Sequence, residues 1–127
     1  MRSFLVNRMR TFIFTTALPP LNVAWTKFIL SRLGGWNDRR ERLTEAALRV
    51  QAAVRGSGCE CPSSSHIVPF IVGESNQTIL KAEDMQRKGF YVLPVRPPTV
   101  PEGTSRLRIS LTAAVTEEEV DSLCREL

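Results

Sequence analysis

The sequence predicts an α+β fold: a helical arm followed by a β-α-β-β-α layer. Three observations carry that prediction. Ahead of residue 57 the apolar residues recur mainly at helical spacing. Between residues 66 and 95, two β-branched runs flank one helical stripe. Arg106–Thr112 then alternates cleanly, with Leu107, Ile109 and Leu111 on one side and Arg106, Arg108, Ser110 and Thr112 on the other. The order from residue 66 calls for helices packed on a small sheet. With 127 residues, 43% apolar and 24% charged, the chain is one globular domain or a piece of one.

Each element has a local reason. Thr11–Thr16 is β-branched and aromatic, which suits a short strand. Pro19 and Pro20 fit the first turn of a helix, where a missing N–H leaves nothing unpaired. Leu21, Trp25, Phe28, Ile29 and Leu33 form that helix's stripe, and Gly34-Gly35 stops it. Asn37 or Asp38 can cap the next helix, whose stripe is Leu43, Ala47, Val50 and Val54, with Gly56 as its end. Residues 56–65, with Gly, Cys, Pro and four serines, make a loop.

His66–Val72 reads as an apolar strand in which Pro69 requires an edge position or a bulge. Ser75 is placed to cap a helix carrying Ile79, Ala82 and Met85, closed by Gly89. Phe90–Val95 is a second strand, residues 96–104 a proline-rich loop, and Arg106–Thr112 the third strand. Thr116 and Glu119 have capping-box spacing ahead of a last helix striped by Val120, Leu123, Cys124 and Leu127. Residues 1–35 have too few partners to bury their apolar faces alone, so the chain reads as part of a larger body.

Composition narrows the function. No run approaches the roughly 18 apolar residues of a membrane span, so no membrane partner is expected. Residues 1–50 hold 9 basic and 3 acidic residues against 8 and 10 in residues 51–127. A basic half suits an anionic ligand or helix faces that meet an acidic surface; no nucleic-acid partner is assigned. Phe12–Leu18 is too short, and lacks a small-x-small site directly after it, to read as a signal sequence. Cys59, Cys61 and Cys124 are odd in number and form no disulfide framework, which suits a reducing cytoplasm. No metal site is expected, since zinc takes about four ligands and the chain adds only His66 to three thiols. His66 itself reads as a structural histidine at a strand start. No glycine-rich phosphate loop is present.

Two features carry chemistry. A guanidinium on a half-buried strand needs an anion, and its planar fork matches a carboxylate; the plainer reading is a structural salt bridge or solvation. Pro97, Pro98 and Pro101 fix the backbone of the loop that contains Thr99.

At these residues the sequence resembles a known family. "RPPTVPEGTSRLRISLTAA" (96–114), "SHIVPFIVG" (65–73), "KGFYVLPVRPP" (88–98) and "NRMRTFIFTTALPP" (7–20) are similar to the C-terminal portion of the 8-amino-7-oxononanoate synthases. These are α-oxoamine synthases with the type I fold of pyridoxal-phosphate (PLP) enzymes. The resemblance covers essentially the whole chain. It implies that residues 1–56 are the tail of a large domain with connecting helices, and 57–127 a C-terminal α+β small domain. It implies acyltransferase chemistry: decarboxylative condensation of a pimeloyl thioester with L-alanine, in biotin biosynthesis. It further implies PLP in the complete enzyme, a missing N-terminal catalytic domain as partner, a homodimer and a cytoplasmic setting.

The resemblance also assigns residues. Arg108 matches the arginine that holds the amino-acid carboxylate, and Thr99 a substrate-binding threonine. Thr16, or else Thr15, matches the hydroxyl that reaches the neighbouring subunit's cofactor phosphate. The Schiff-base lysine, the ring-stacking histidine and the ring-nitrogen aspartate belong upstream of Met1. Lys27, Lys81 and Lys88 lie outside that context, so no catalytic residue is assigned, no covalent cofactor is expected on this chain, and the isolated chain is expected to be inactive. Val115 departs from the family, which often has histidine there. Two alternatives stand beside this reading. One is another α-oxoamine synthase using glycine or serine; the other is a non-catalytic partner of a full-length enzyme.

Overall fold

The computed structural model describes residues 1–13 and 17–127. They form two compact units, Met1–Trp36 and Asn37–Leu127. The second unit begins at Asn37 because the helix that follows shares its core with the sheet. Within this chain, contacts therefore divide the residues at 36/37.

The first unit contains α1 (Arg2–Arg8), α2 (Arg10–Ile13), α3 (Pro20–Arg32) and a 3₁₀ turn at Leu33–Gly35. Pro20 opens α3, as its missing N–H dictates. The strand expected over residues 11–16 is not what is found: residues 10–13 are helical, and residues 14–16 lie outside the described residues. An extended segment without a neighbour leaves its N–H and C=O groups unpaired, whereas a helical turn pairs them locally. No residue of α3 is buried. Trp25 and Phe28 stack with ring centroids 5.7 Å apart, and Arg32 lies 5.2 Å from the centre of the Phe28 ring.

The second unit runs α4 (Asn37–Gly56), β1 (Ile67–Gly73), α5 (Ser75–Arg87), β2 (Leu93–Val95), β3 (Ser105–Ser110) and α6 (Glu117–Glu126). The three strands form one sheet in the order β1-β3-β2, with β3 antiparallel to both neighbours. β1 is an edge strand, which accommodates Pro69. One face of the sheet packs on the helices. Its core takes Val50 and Val54 from α4, Val68 and Phe70 from β1, Ala82 and Met85 from α5, Leu107 and Ile109 from β3, and Val120 and Leu123 from α6.

The alternation over residues 107–112, which runs past the end of β3, appears as read: Leu107, Ile109 and Leu111 are buried, whereas Arg108, Ser110 and Thr112 are exposed. The capping box of α6 is complete, with Thr116 Oγ1 accepting from Glu119 N–H at 3.2 Å and the Glu119 carboxylate from Thr116 N–H at 2.8 Å. α4 ends at Gly56, as read, and the left-handed turn after it falls on Gly58, at φ +83°. Other boundaries differ. β3 is Ser105–Ser110 rather than Arg106–Thr112, and β1 is Ile67–Gly73 rather than His66–Val72. Ser75 does not cap α5. Glu74 holds the cap position, and the Ser75 hydroxyl instead meets that of Ser105 at 3.1 Å, tying α5 to the start of β3. β2 is shorter than Phe90–Val95 because its first residues are bonded to the end of α5. Phe90 N–H donates to the Met85 carbonyl and the Gln86 amide to the Val92 carbonyl, each at 2.9 Å.

Candidate functional site

The face of the sheet turned away from the helices carries the residues that the sequence singles out. Cross-strand partners share a face, so the register fixes what lies beside each arginine. Pro69 and Leu93 stand on either side of Arg108, and Ile71 and Val95 on either side of Arg106. A basic row on β3 thus runs between two apolar rows. The loop Arg96–Thr104 folds over one end of this face. Thr99 N–H donates to the Arg96 carbonyl at 3.0 Å across the cis Pro97–Pro98 bond, and Thr104 N–H to the Pro101 carbonyl at 3.2 Å.

These pieces enclose a cleft of about 390 Å³. Thr99, Arg106 and Arg108 line it together with Pro69, Val95 and Ser63. The structure therefore brings the two expected substrate residues, Thr99 and Arg108, into one concavity. Among the described residues no carboxylate lies within ion-pair distance of Arg108. A structural salt bridge within those residues is thus not what holds this guanidinium. Thr15 and Thr16 lie outside the described residues.

The sequence did not single out Ser63, and gave Arg106 no role of its own. Ser63 comes from the serine-rich loop, where its hydroxyl donates to the Ile67 carbonyl at 2.6 Å. The Nε of Arg106 donates to the Thr104 carbonyl at 2.9 Å. The period-two pattern puts both arginines on one face but does not distinguish their roles. Nothing local marks Ser63, because the pairing of β1 with β3 brings its loop to the cleft.

Other groups are committed elsewhere. His66 is exposed rather than set in the core, and lies outside the cleft; its carbonyl takes the Leu111 N–H at 3.0 Å. A groove of about 440 Å³ beside Tyr91 and Leu123 includes one carboxylate, Glu119, which is already part of the capping box. Cys59, Cys61 and Cys124 are half-buried free thiols packed against the core. Burial pushes the Cys124 thiol up, against a smaller lowering by Arg49, which pairs with Asp121 across α4 and α6.

The lysines bear on the cofactor. Lys88 binds Glu126 at 2.6 Å and Asp84 at 2.9 Å, and these hydrogen bonds, Glu126 first, raise its ammonium above the ordinary lysine range. Lys81 lies over the Phe70 ring, 5.2 Å from its centre. No lysine lines the cleft. The described residues therefore fit a substrate carboxylate, but offer the cleft no amine for covalent attachment of an aldehyde cofactor. Incubation with PLP followed by borohydride is expected to label lysines diffusely, with Lys88 the least modified because its amine is held protonated. Peptide mapping that finds one stoichiometric lysine would contradict this.

The fold agrees with that of known proteins. The chain belongs to the class I and II aminotransferase family, whose model matches residues 1–127. It is 46% identical over 123 residues to the 8-amino-7-oxononanoate synthase of Haemophilus ducreyi, covering 96% of this chain and 32% of that protein. The chain thus spans about a third of the length of the curated relatives it matches. Among solved structures, Sphingomonas wittichii serine palmitoyltransferase superposes with a TM-score of 0.88 at 27% identity over 98% of this chain and 32% of that one. A structure of serine palmitoyltransferase with its PLP internal aldimine matches equally well, with a TM-score of 0.88. The 8-amino-7-oxononanoate synthase of Francisella tularensis shares the fold, with a TM-score of 0.81 at 24% identity over 98% of this chain and 37% of that one.

Proposed function

We propose that this chain is the C-terminal part of a PLP-dependent 8-amino-7-oxononanoate synthase. The complete enzyme condenses a pimeloyl thioester with L-alanine, with loss of the alanine carboxylate, in biotin biosynthesis. The observation that supports this most is Arg108 in a cleft with Thr99, flanked by Pro69 and Leu93, and with no carboxylate partner among the described residues. A guanidinium in that setting binds a carboxylate through two parallel N–H donors. Arg108 holds the alanine carboxylate, and Thr99, on its proline-stiffened loop, offers a hydroxyl to the substrate. The apolar rows on β1 and β2 give the same face nonpolar surface for the rest of the substrate. PLP, when bound by the complete enzyme, supplies the electron sink for loss of the carboxylate. Thr16, or else Thr15, contacts its phosphate from the neighbouring subunit of a homodimer.

In this reading residues 1–56 are the tail of the large domain with connecting helices, and residues 57–127 the small domain. The 127-residue chain acts only when joined to the rest. The test is a chimera in which this chain replaces the matching third of the Haemophilus ducreyi relative. With alanine and pimeloyl-CoA it is expected to release free CoA and CO₂. A folded chimera that turns over glycine or serine instead would favour the second reading, another α-oxoamine synthase, to which the serine palmitoyltransferase likeness lends weight. A folded chimera inert with all three amino acids would overturn both.

A further inference from the structure

Arg106 shares the cleft with Arg108 but has no part in the function proposed above. The two are separated by one residue on β3, so their Cα atoms are about 6.7 Å apart on one face. Arg106 is half-buried between Ile71 and Val95. The bond from its Nε to the Thr104 carbonyl orients the guanidinium plane and leaves the terminal nitrogens as further donors. Among the described residues no carboxylate lies within ion-pair distance of either arginine. Two cations on one sheet face repel unless anions lie against them. The cross-strand neighbours Pro69, Ile71, Leu93 and Val95 are apolar, and Ser63 and Thr99 add hydroxyls to the cleft. A ligand with two anionic ends joined by a hydrocarbon chain would meet both the charge and the apolar rows.

We propose that Arg106 is a second anion anchor and a specificity-determining residue. It takes the distal carboxylate of an acyl group derived from an α,ω-dicarboxylic acid. This rests on the function proposed above, in which Arg108 holds the amino-acid carboxylate. In a pimeloyl donor aligned with alanine, eight C–C bonds separate the two carboxylates, an extended zigzag of about 10 Å at ~1.25 Å of advance per ~1.5 Å bond. Two arginine side chains fanning from Cα atoms about 6.7 Å apart match that span. An acyl group ending in a methyl would leave the Arg106 fork facing hydrocarbon.

The test is ligand-observed saturation-transfer NMR on the 127-residue chain with nonanedioate, whose carboxylates are eight C–C bonds apart, its monomethyl ester and nonanoate. Nonanedioate is expected to bind about tenfold more tightly than the other two, the effect of one added charge-assisted hydrogen-bonded contact. Arg106→Gln is expected to bring nonanedioate down to the level of nonanoate. Arg106→Lys should keep part of the preference, since it retains the charge without the fork. Arg108→Gln is expected to weaken all three ligands. Equal affinities in the wild type, or a preference that survives in Arg106→Gln, overturn the role of Arg106 and leave the Arg108 site standing. Unchanged binding of all three ligands to Arg108→Gln overturns the carboxylate site itself, and the assignment of Arg106 with it.

Discussion

In the complete enzyme, Arg108→Ala is expected to lower kcat/KM for alanine by roughly 30- to 5000-fold. That is the factor corresponding to about 2–5 kcal/mol for a charged, hydrogen-bonded contact shielded from water once substrate fills the cleft. Arg108 is exposed in this chain and has no carboxylate partner among the described residues, so its loss removes no structural ion pair there. Unfolding stability should therefore stay within about 0.5 kcal/mol of wild type. Arg108→Lys should recover only part of the activity, because a point charge cannot reproduce two parallel N–H donors. Arg106→Ala should disturb alanine far less than Arg108→Ala does. Wild-type kinetics for alanine in folded Arg108→Ala would remove the site assignment, and impairment confined to Arg106→Ala would transfer it to the other arginine.

How far the sequence revealed this site depends on the range of the interactions involved. The alternation of β3 is local: each side chain's face follows from the pleat, so Leu107 and Arg108 could be assigned to opposite sides before any partner strand was known. The capping box of Thr116 and Glu119 is local in the same sense. The cleft itself is not. It exists because Pro69 and Leu93 lie opposite Arg108, and that register links strands nearly 40 residues apart in sequence on one side and 15 on the other. Ser63 enters the cleft for the same reason. Resemblance supplied Thr99, whose loop has no periodicity to read.

The misplaced boundaries share a cause. Ser75 has the composition of a helix cap, yet its hydroxyl meets Ser105, a residue 30 positions away. Phe90–Val92 has strand composition, but its backbone is bonded to the end of α5. Residues 11–13, part of the expected strand, lie in a helical turn. In each case a tertiary or backbone partner outweighed a propensity whose whole range is only about 1 kcal/mol. α3 shows the complementary effect. Its stripe was legible, but a stripe specifies burial only where something covers it, and Leu21 and Trp25 are exposed in their own unit.

Leu107→Ala is the other large expected effect. Leu107 is fully buried on the central strand, between Phe70 on β1 and Pro94 on β2, and its side chain belongs to the core under the helices. Removing it forfeits the transfer free energy of the lost carbons and leaves a cavity that a strand held on both sides can close only partly. The cost is about 2–5 kcal/mol. A small domain holds on the order of 5–15 kcal/mol in all, so this one change removes a large share of it. Urea unfolding should show a lower midpoint with an unchanged slope, because the surface exposed on unfolding scarcely differs. Leu80→Ala is the comparison, since Leu80 is 64% exposed on α5 and should shift stability by no more than about 0.5 kcal/mol. Leu107 and Arg108 are adjacent in sequence and point to opposite faces, so the pair tests the pleat directly. Leu107→Ala should act on stability and Arg108→Ala on substrate handling. Equal loss of stability in both would mean that β3 does not separate a core face from a ligand face.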